Sequence, residues 1–328
     1  MTMMNTKPQI LRLLEDNRGA YVSGGELAGE LSVSRNAIWK AVEALRDEGY
    51  SISAITNRGY RLDGGGDILS ADGIVAYLKT CDVFTIDVRK SVTSTNTVLR
   101  GLAGSLAGEG YVIAAGAQSA GKGRFGRAFH SPAGHGAYFS LLLRPGSRAS
   151  EAALITSAAA VAAARAIEEV FGVSVGIKWV NDLLVDGKKV CGILTEAEFG
   201  MESGRIESAV LGIGINVSEP EDGFPEELEN VATALCGKGR VINAGSRCRL
   251  IAAALDNFWG YYTNLSERAF LSEYRSRSIL PGRDIIVVSG EGGRPARAIG
   301  VDDDCGLIVR YEDGSTATLS SGEVSIRL

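Results

Sequence analysis

The run Asp63-Gly64-Gly65-Gly66-Asp67 interrupts every apolar periodicity in the chain. Consecutive glycines have no side chain to bury and lose the most backbone freedom on ordering, so a helix or strand does not run through them. The 328 residues are therefore expected to fold as separate units, one confined to residues 1–63, with 64–67 as a flexible hinge.

Before the hinge, Ile10, Leu11, Leu13 and Leu14, then Leu27, Leu31 and Val33, recur at helical spacing. Ser23 with Glu26 three residues on has the form of a capping box for a helix over residues 24–31. After a short turn, Ser34 caps a second helix over 35–48, with Ala37, Ile38, Ala41, Val42 and Leu45 facing inward. Two alternating runs, 50–55 and 58–62, joined at Thr56-Asn57, read as a hairpin. This order predicts a winged helix-turn-helix DNA-binding domain. Basic and acidic residues balance over residues 1–63, so the strong net basicity of many DNA binders is missing. Their distribution still favours DNA, because the second helix and the hairpin hold Arg35, Lys40, Arg46, Arg58 and Arg61. Ser34, Arg35, Asn36, Lys40 and Arg58 are the candidate DNA-contacting residues, and Trp39 reads as a packing residue. A winged helix used for protein contacts is the alternative.

Beyond the hinge, residues 68–277 mix strands and helices. Strands are expected at 83–88, 139–143, 173–179, 183–185, 190–197 and 208–215. Helices are expected at 71–78, after Ser94-Thr95-Asn96, and over 152–171, 247–262 and 267–276. The tail, 278–328, alternates in five short runs separated by acidic turns, the rhythm of a small five-stranded barrel. The class is α+β.

Between Glu109 and Glu151 there is no acidic residue, although the chain's formal net charge is −5. Within that gap lies Gly121-Lys122-Gly123-Arg124-Phe125-Gly126-Arg127, led by Gln118. Glycines let a backbone bend around a ligand and aim N–H groups at it. Arginine adds a fork of donors and lysine a point charge. The loop reads as an anion cradle rather than a solvated basic loop. It also spells the glycine pattern of a dinucleotide-binding turn, but Pro132, Gly134 and Gly136 forbid the helix that pattern needs, and no acid follows until Glu151.

Composition removes several classes. Hydrophobic residues make up 45%, which suits a packed globular protein. No apolar run approaches the ~18 residues of a membrane span, and the first residues have no apolar signal core. Cys81, Cys191, Cys236, Cys248 and Cys305 are widely spaced, with no C-x-x-C pair. Neither a disulfide framework nor a zinc site is expected, and a cytoplasmic location is. Only His130 and His135 are present, which weakens any histidine-dependent hydrolase.

A second cluster, Lys178-Trp179-Val180-Asn181-Asp182, precedes a turn at Asp186-Gly187 and the segment Lys188-Lys189-Val190-Cys191-Gly192. A hairpin there brings Lys178 and Lys189 together. Two lysines beside an Asn-Asp pair suit a triphosphate with Mg²⁺, although taken alone the hairpin reads as an ordinary solvated charged turn. Gly212-Ile213-Gly214-Ile215-Asn216 adds a glycine-bearing strand end open to a flat ligand.

In order and spacing these motifs, with Ser94-Thr95-Asn96, resemble the biotin–protein ligases, and specifically the bifunctional type that also represses the biotin operon. The resemblance covers essentially the whole chain. It implies a class II synthetase-like central domain and an SH3-like C-terminal barrel. It also implies the activity of a biotin–[acetyl-CoA-carboxylase] ligase. Biotin's carboxylate attacks the α-phosphate of MgATP to give biotinyl-5′-AMP, and a lysine of the biotin carboxyl carrier protein then displaces AMP. The substrates supply the nucleophiles, which accords with the scarcity of histidine.

By the same resemblance, Ser94, Thr95, Asn96, Gln118, Gly121, Lys122, Arg124, Lys189 and Gly192 contact biotin. Arg124, Phe125, Lys178, Asn181, Asp182, Lys189, Asn216, Glu323 and Arg327 lie on the ATP or adenylate side. Arg124 and Lys189 are the catalytic pair, Asp182 is the Mg²⁺ carboxylate, and residues 218–232 form a mobile lid. Biotinyl-5′-AMP acts as corepressor, favouring a homodimer on operator DNA. The sequence departs from the family at Lys122 and Val180, where arginine and proline are usual, and at Phe125, where some members have arginine. The lid lacks the adenine-stacking tryptophan of some members. A biotin-sensing regulator without ligase activity is the alternative. A lipoate or octanoate ligase shares the central fold but not the loop and winged helix.

Overall fold

The computed structural model describes residues 6–64, 66–104, 107–148, 151–200, 204–237, 242–289 and 292–326. The N-terminal unit comprises α1 (Thr6–Asp16), α2 (Gly24–Glu30), α3 (Arg35–Asp47) and the hairpin β1 (Ile52–Ile55) and β2 (Gly59–Leu62). Ser23 accepts from the Glu26 N–H at 3.0 Å while the Glu26 carboxylate accepts from the Ser23 N–H, so the predicted capping box forms. Ser34 caps α3 through the Ala37 N–H. Ile10, Leu11, Leu14, Leu27, Ile38, Val42 and Leu45 close a separate small core. Trp39 does not join it: the side chain is 52% exposed, so its reading as a packing residue is overturned. The inward stripe is already filled by residues three and four apart, and position 39 falls outside it.

The chain continues through α4 (Ala71–Tyr77), β3 (Thr85–Arg89), α5 (Thr95–Ala103), β4 (Tyr111–Ala115), β5 (Gly136–Leu143) and α6 (Ala152–Phe171). Then come β6 (Gly176–Lys178), β7 (Asp182–Val185), β8 (Lys188–Phe199), β9 (Ile206–Asn216), α7 (Ser246–Tyr262) and α8 (Leu271–Arg277). A seven-stranded sheet has the order β3-β4-β5-β9-β8-β7-β6, parallel only between β3 and β4. Period-two alternation divides its faces. Phe139, Leu141, Leu211 and Ile213 join the main core with α6 and α7, whereas Ile113, Leu142 and Val210 pack with Leu99 of α5 on the other side. That second face also carries Ser140, Gly212, Gly214 and Gly192, and the start of α5 lies over it.

Two elements are shorter than periodicity predicts. Only residues 176–178 of the expected strand 173–179 pair in the sheet. The expected helix 267–276 is divided: a turn of 3₁₀ helix at Leu265–Glu267 ends at Arg268 in the left-handed region (φ 54°), and α8 starts at Leu271.

The tail contains β10 (Asp284–Ser289), β11 (Gly292–Val301), β12 (Leu307–Tyr311), β13 (Thr316–Leu319) and β14 (Glu323–Ile326). They form an antiparallel sheet in the order β13-β12-β11-β10-β14, an SH3-like arrangement whose two edge strands are not paired with one another among the described residues. The Trp179 indole N–H donates to the Cys305 carbonyl at 2.8 Å, and the Tyr274 hydroxyl donates to the Val180 carbonyl at 3.2 Å. The first contact fixes the tail, and the second α8, beside the 178–182 turn.

Candidate active site

The second sheet face meets the start of α5 in a crossed array of hydrogen bonds. Gln118 Oε1 accepts from the Thr95 N–H at 2.8 Å, and its amide nitrogen donates to Ser131 Oγ at 2.8 Å. Ser140 Oγ lies 2.7 Å from Thr95 Oγ1 and 2.6 Å from Asn96 Oδ1, and the Asn96 amide donates to Glu196. Ser94 is the N-cap of α5 but makes no side-chain capping bond. Below these groups, Gly192 pairs with Gly214, and Leu194 with Gly212, across β8 and β9. A Cβ on Gly212 would stand 2.0 Å from Asn96 Oδ1, and one on Gly214 would stand 2.6 Å from the Phe129 ring. Glycine is needed here for close approach.

These residues enclose a cavity of about 40 Å³, lined by Ser94, Thr95, Asn96, Gln118, Lys122, Arg124, Lys189 and Gly192 from the predicted set. That volume holds only a few waters, because the Phe129 ring lies over the glycine floor. Gly121 is not part of the lining. It packs beneath the loop, where a Cβ would stand 2.4 Å from the Phe129 carbonyl.

A second cavity of about 410 Å³ adjoins the first and holds Phe125, Lys178 and Asp182, with Leu228 to Ala232 on one side and Gly322 to Val324 on the other. Arg124, Asn181 and Lys189 line both. The Arg124 guanidinium donates to Asn181 Oδ1 at 3.0 Å and to the Gly322 carbonyl at 3.1 Å. Burial pushes it below the ordinary arginine range, while Asp182 and Glu323 pull it back. It stays charged. Lys189 Nζ lies 2.6 Å from Asp182 Oδ1, and Arg127 pairs with Glu323 at 2.7 Å. Phe125, in the left-handed region (φ 56°), is 65% exposed beneath the Arg124 guanidinium. Two cations thus stand where two compartments meet.

Besides Gly121, one predicted residue with a described position falls outside both cavities. Asn216 is buried outside both cavities, where its amide donates to the Thr233 carbonyl and ties down the end of the 218–232 segment. That segment is pinned to the hairpin, since the Lys189 N–H donates to the Val231 carbonyl at 2.8 Å. Arg327 lies outside the described residues. Phe129 and the Gly322 carbonyl were not anticipated. Phe129 carries no signal beyond its place in the loop, and a backbone carbonyl carries none at all.

No group of three or more His, Cys, Asp or Glu side chains suited to a metal occurs among the described residues. Asp182 is a single carboxylate, which suits a Mg²⁺ ion that arrives coordinated by phosphates and water. In the N-terminal unit, Ser34, Arg35, Asn36, Lys40 and Arg58 are all exposed.

The comparisons agree with this geometry. Residues 88–216 match the biotin/lipoate A/B protein ligase family, 6–61 an HTH domain and 282–327 the biotin protein ligase C terminal domain. The bifunctional ligase/repressor BirA of Bacillus spizizenii is 33% identical over 94% of this chain and 95% of its own length. The chain belongs to the biotin protein ligase family. This ligase is of the bifunctional kind, with a repressor's helix-turn-helix domain ahead of the catalytic sheet. It is also 32% identical to the biotin–[acetyl-CoA-carboxylase] ligase of Paracoccus denitrificans over 67% of this chain and 92% of that one. The biotin protein ligase from Aquifex aeolicus in complex with biotin and ATP shares 25% identity, covering 74% of the ligase and 98% of that chain with a TM-score of 0.59.

Proposed function

We propose that the smaller cavity takes biotin, the larger takes ATP, and the two react where Arg124 and Lys189 meet. The observation that carries this is the pair of adjoining cavities sharing Arg124, Asn181 and Lys189. A carboxylate oxygen of biotin attacks the α-phosphorus, the bond to pyrophosphate breaks, and biotinyl-5′-AMP forms. A lysine amine of the biotin carboxyl carrier protein then attacks the acyl carbon and AMP leaves.

Arg124 has a planar fork already oriented by Asn181 and Gly322, so it is placed to hold the carboxylate and α-phosphate oxygens as charge builds. Lys189 leaves Asp182 for a phosphate oxygen, freeing that carboxylate for the Mg²⁺ that accompanies ATP. Lys178 serves the outer phosphates. Gln118 and Thr95 orient the bicyclic ring, and Phe129 moves off the floor to admit it. The tail contributes Glu323 by holding Arg127.

In this reading residues 1–63 bind operator DNA of biotin genes, 64–67 link them to the catalytic domain, 68–277 form that domain, and 278–328 complete the nucleotide side. Biotinyl-5′-AMP is the corepressor and promotes a homodimer that presents two winged helices to a two-fold site. The protein works in the cytoplasm. No described helix is long and apolar enough to cross a membrane, and no disulfide is formed among the described residues.

The test is transfer of labelled biotin to a purified carrier domain by wild type and Lys189→Ala, with and without MgATP. Labelling that needs ATP and falls about 100-fold or more in the variant is expected. Wild-type protein that binds biotin yet labels nothing would leave a sensor without ligase activity.

A further inference from the structure

The exposed face of α3 is not uniformly polar. Arg35, Asn36, Trp39 and Lys40 share it, since residues one turn apart are neighbours on a helix, and Trp39 is 52% exposed in their midst. Glu43, one turn beyond Trp39, is paired with Arg46 at 2.6 Å. In the wing, Arg61 is paired with Asp63. Arg35, Lys40 and Arg58 have no ion pair among the described residues, and Arg58 is steadied by the Tyr21 ring, 5.7 Å from its guanidinium carbon. The surface around the indole is therefore cationic.

At the centre of that cationic face the half-exposed indole offers a large apolar area to whatever docks there. An indole also has an apolar face and one N–H donor, so it suits an apolar partner beside an acceptor. A thymine edge in the major groove offers this, with its 5-methyl group next to an O4 acceptor. We propose that Trp39 reads sequence by packing against a thymine methyl, while Arg35, Lys40 and Arg58 hold phosphates. The assignment rests on residues 1–63 being a DNA-binding domain. A protein docked on this face is the competing occupant, and the unpaired cations around Trp39 favour the polyanion.

The experiment uses the full chain with biotin and MgATP. Duplexes are first selected by the wild type from a random pool. Affinity for a selected duplex and for a scrambled one is then measured for wild type, Trp39→Ala and Arg58→Ala at several salt concentrations. Trp39→Ala should lose about ten- to hundred-fold on the selected duplex, with unchanged binding to the scrambled one, unchanged salt dependence and unchanged biotin transfer. Arg58→Ala should weaken both duplexes and lower the salt slope by about one. Replacing thymines one at a time by deoxyuridine removes only the methyl. At one position this should cost the wild type about four-fold, the worth of a buried methyl, and cost Trp39→Ala nothing. Equal binding of the selected duplex by wild type and Trp39→Ala would overturn the assignment and leave a protein partner for this face. Failure of the wild type to select any duplex would overturn the DNA-binding reading and the assignment together.

Discussion

Phe129 governs how much of the cavity proposed for biotin is open, and the glycines beneath it govern where its ring rests. A methyl at Gly214 would stand 2.6 Å from that ring and fill floor space that biotin needs once the ring has moved. Gly214→Ala is expected to raise the KM for biotin about ten-fold, equivalent to about 1.4 kcal/mol, with little change in the KM for ATP. Because the methyl and the ring share one space, Phe129→Ala in the same chain should recover part of the loss, a non-additivity that separate sites would not show. Arg124 is constrained differently, since its fork spans Asn181 and Gly322. Arg124→Lys keeps the charge but cannot span both. Adenylation measured by ATP–pyrophosphate exchange should fall about 100-fold, and near-normal exchange would show that charge alone suffices. At this scale the sequence was readable as placement where residue type states the chemistry, since Arg124, Lys189 and Gln118 line one cavity. It was silent where a role comes from folding back over a distant strand, as for Phe129. Asn216 shows the opposite failure: a polar residue beside the glycine strand end is spent on holding a loop.

Elements were readable wherever local chemistry closed them. Asp186 and Gly187 take positive φ (50° and 81°) and turn β7 into β8 over two residues, as Asp-Gly predicts. The capping box and the uninterrupted α6 are equally local. The short β6 and the divided helix before α8 are not, because Gly176 packs against Ile279 and the break at Arg268 has no sequence signal. α8 is held to α6 by Arg277, which donates to Glu168 and Glu273. Hydrogen bonds from Arg277 hold Glu168 below the ordinary carboxylate range. For Glu273 burial acts upward, but Arg165 and Arg277 outweigh it, and the net shift is downward. Carboxylates depressed in the folded state stabilise it above their unfolded pKa, and that stability is lost as pH falls through the folded value. The α6–α8 contact should therefore weaken below about pH 4.5, the ordinary glutamate value. Thermal melts should show a steeper acid decline for wild type than for Arg277→Met, and identical pH profiles would remove the ion pairs from the account.

For the whole molecule, the glycine run announced separate units but not how they meet. Asp63 is tied back to Arg61, and Asp67 forms an ion pair with Arg247 of α7 at 2.7 Å, both side chains under a tenth exposed. Between these anchors α1 packs on α4, Ala76 enters the N-terminal core, and Tyr50 hydrogen-bonds Ser70. The periodicities of α1 and α4 each read as private to their own unit, so nothing in either segment revealed the contact. A winged helix docked this way keeps a fixed orientation to the catalytic sheet, which the proposed binding to a two-fold operator would require. Removing one partner of a buried ion pair leaves an uncompensated charge and costs about 3–5 kcal/mol. That is a large fraction of the roughly 5–15 kcal/mol by which a domain is typically stable. Arg247→Met is expected to split a single calorimetric transition into two and to speed proteolysis at residues 64–66. It should weaken operator binding far more than biotin transfer, because α7 lies across the core from the cavities. If unfolding stayed cooperative and cleavage unchanged, the α1–α4 packing alone would hold the units together, and Asp67 and Arg247 would be dispensable to their coupling.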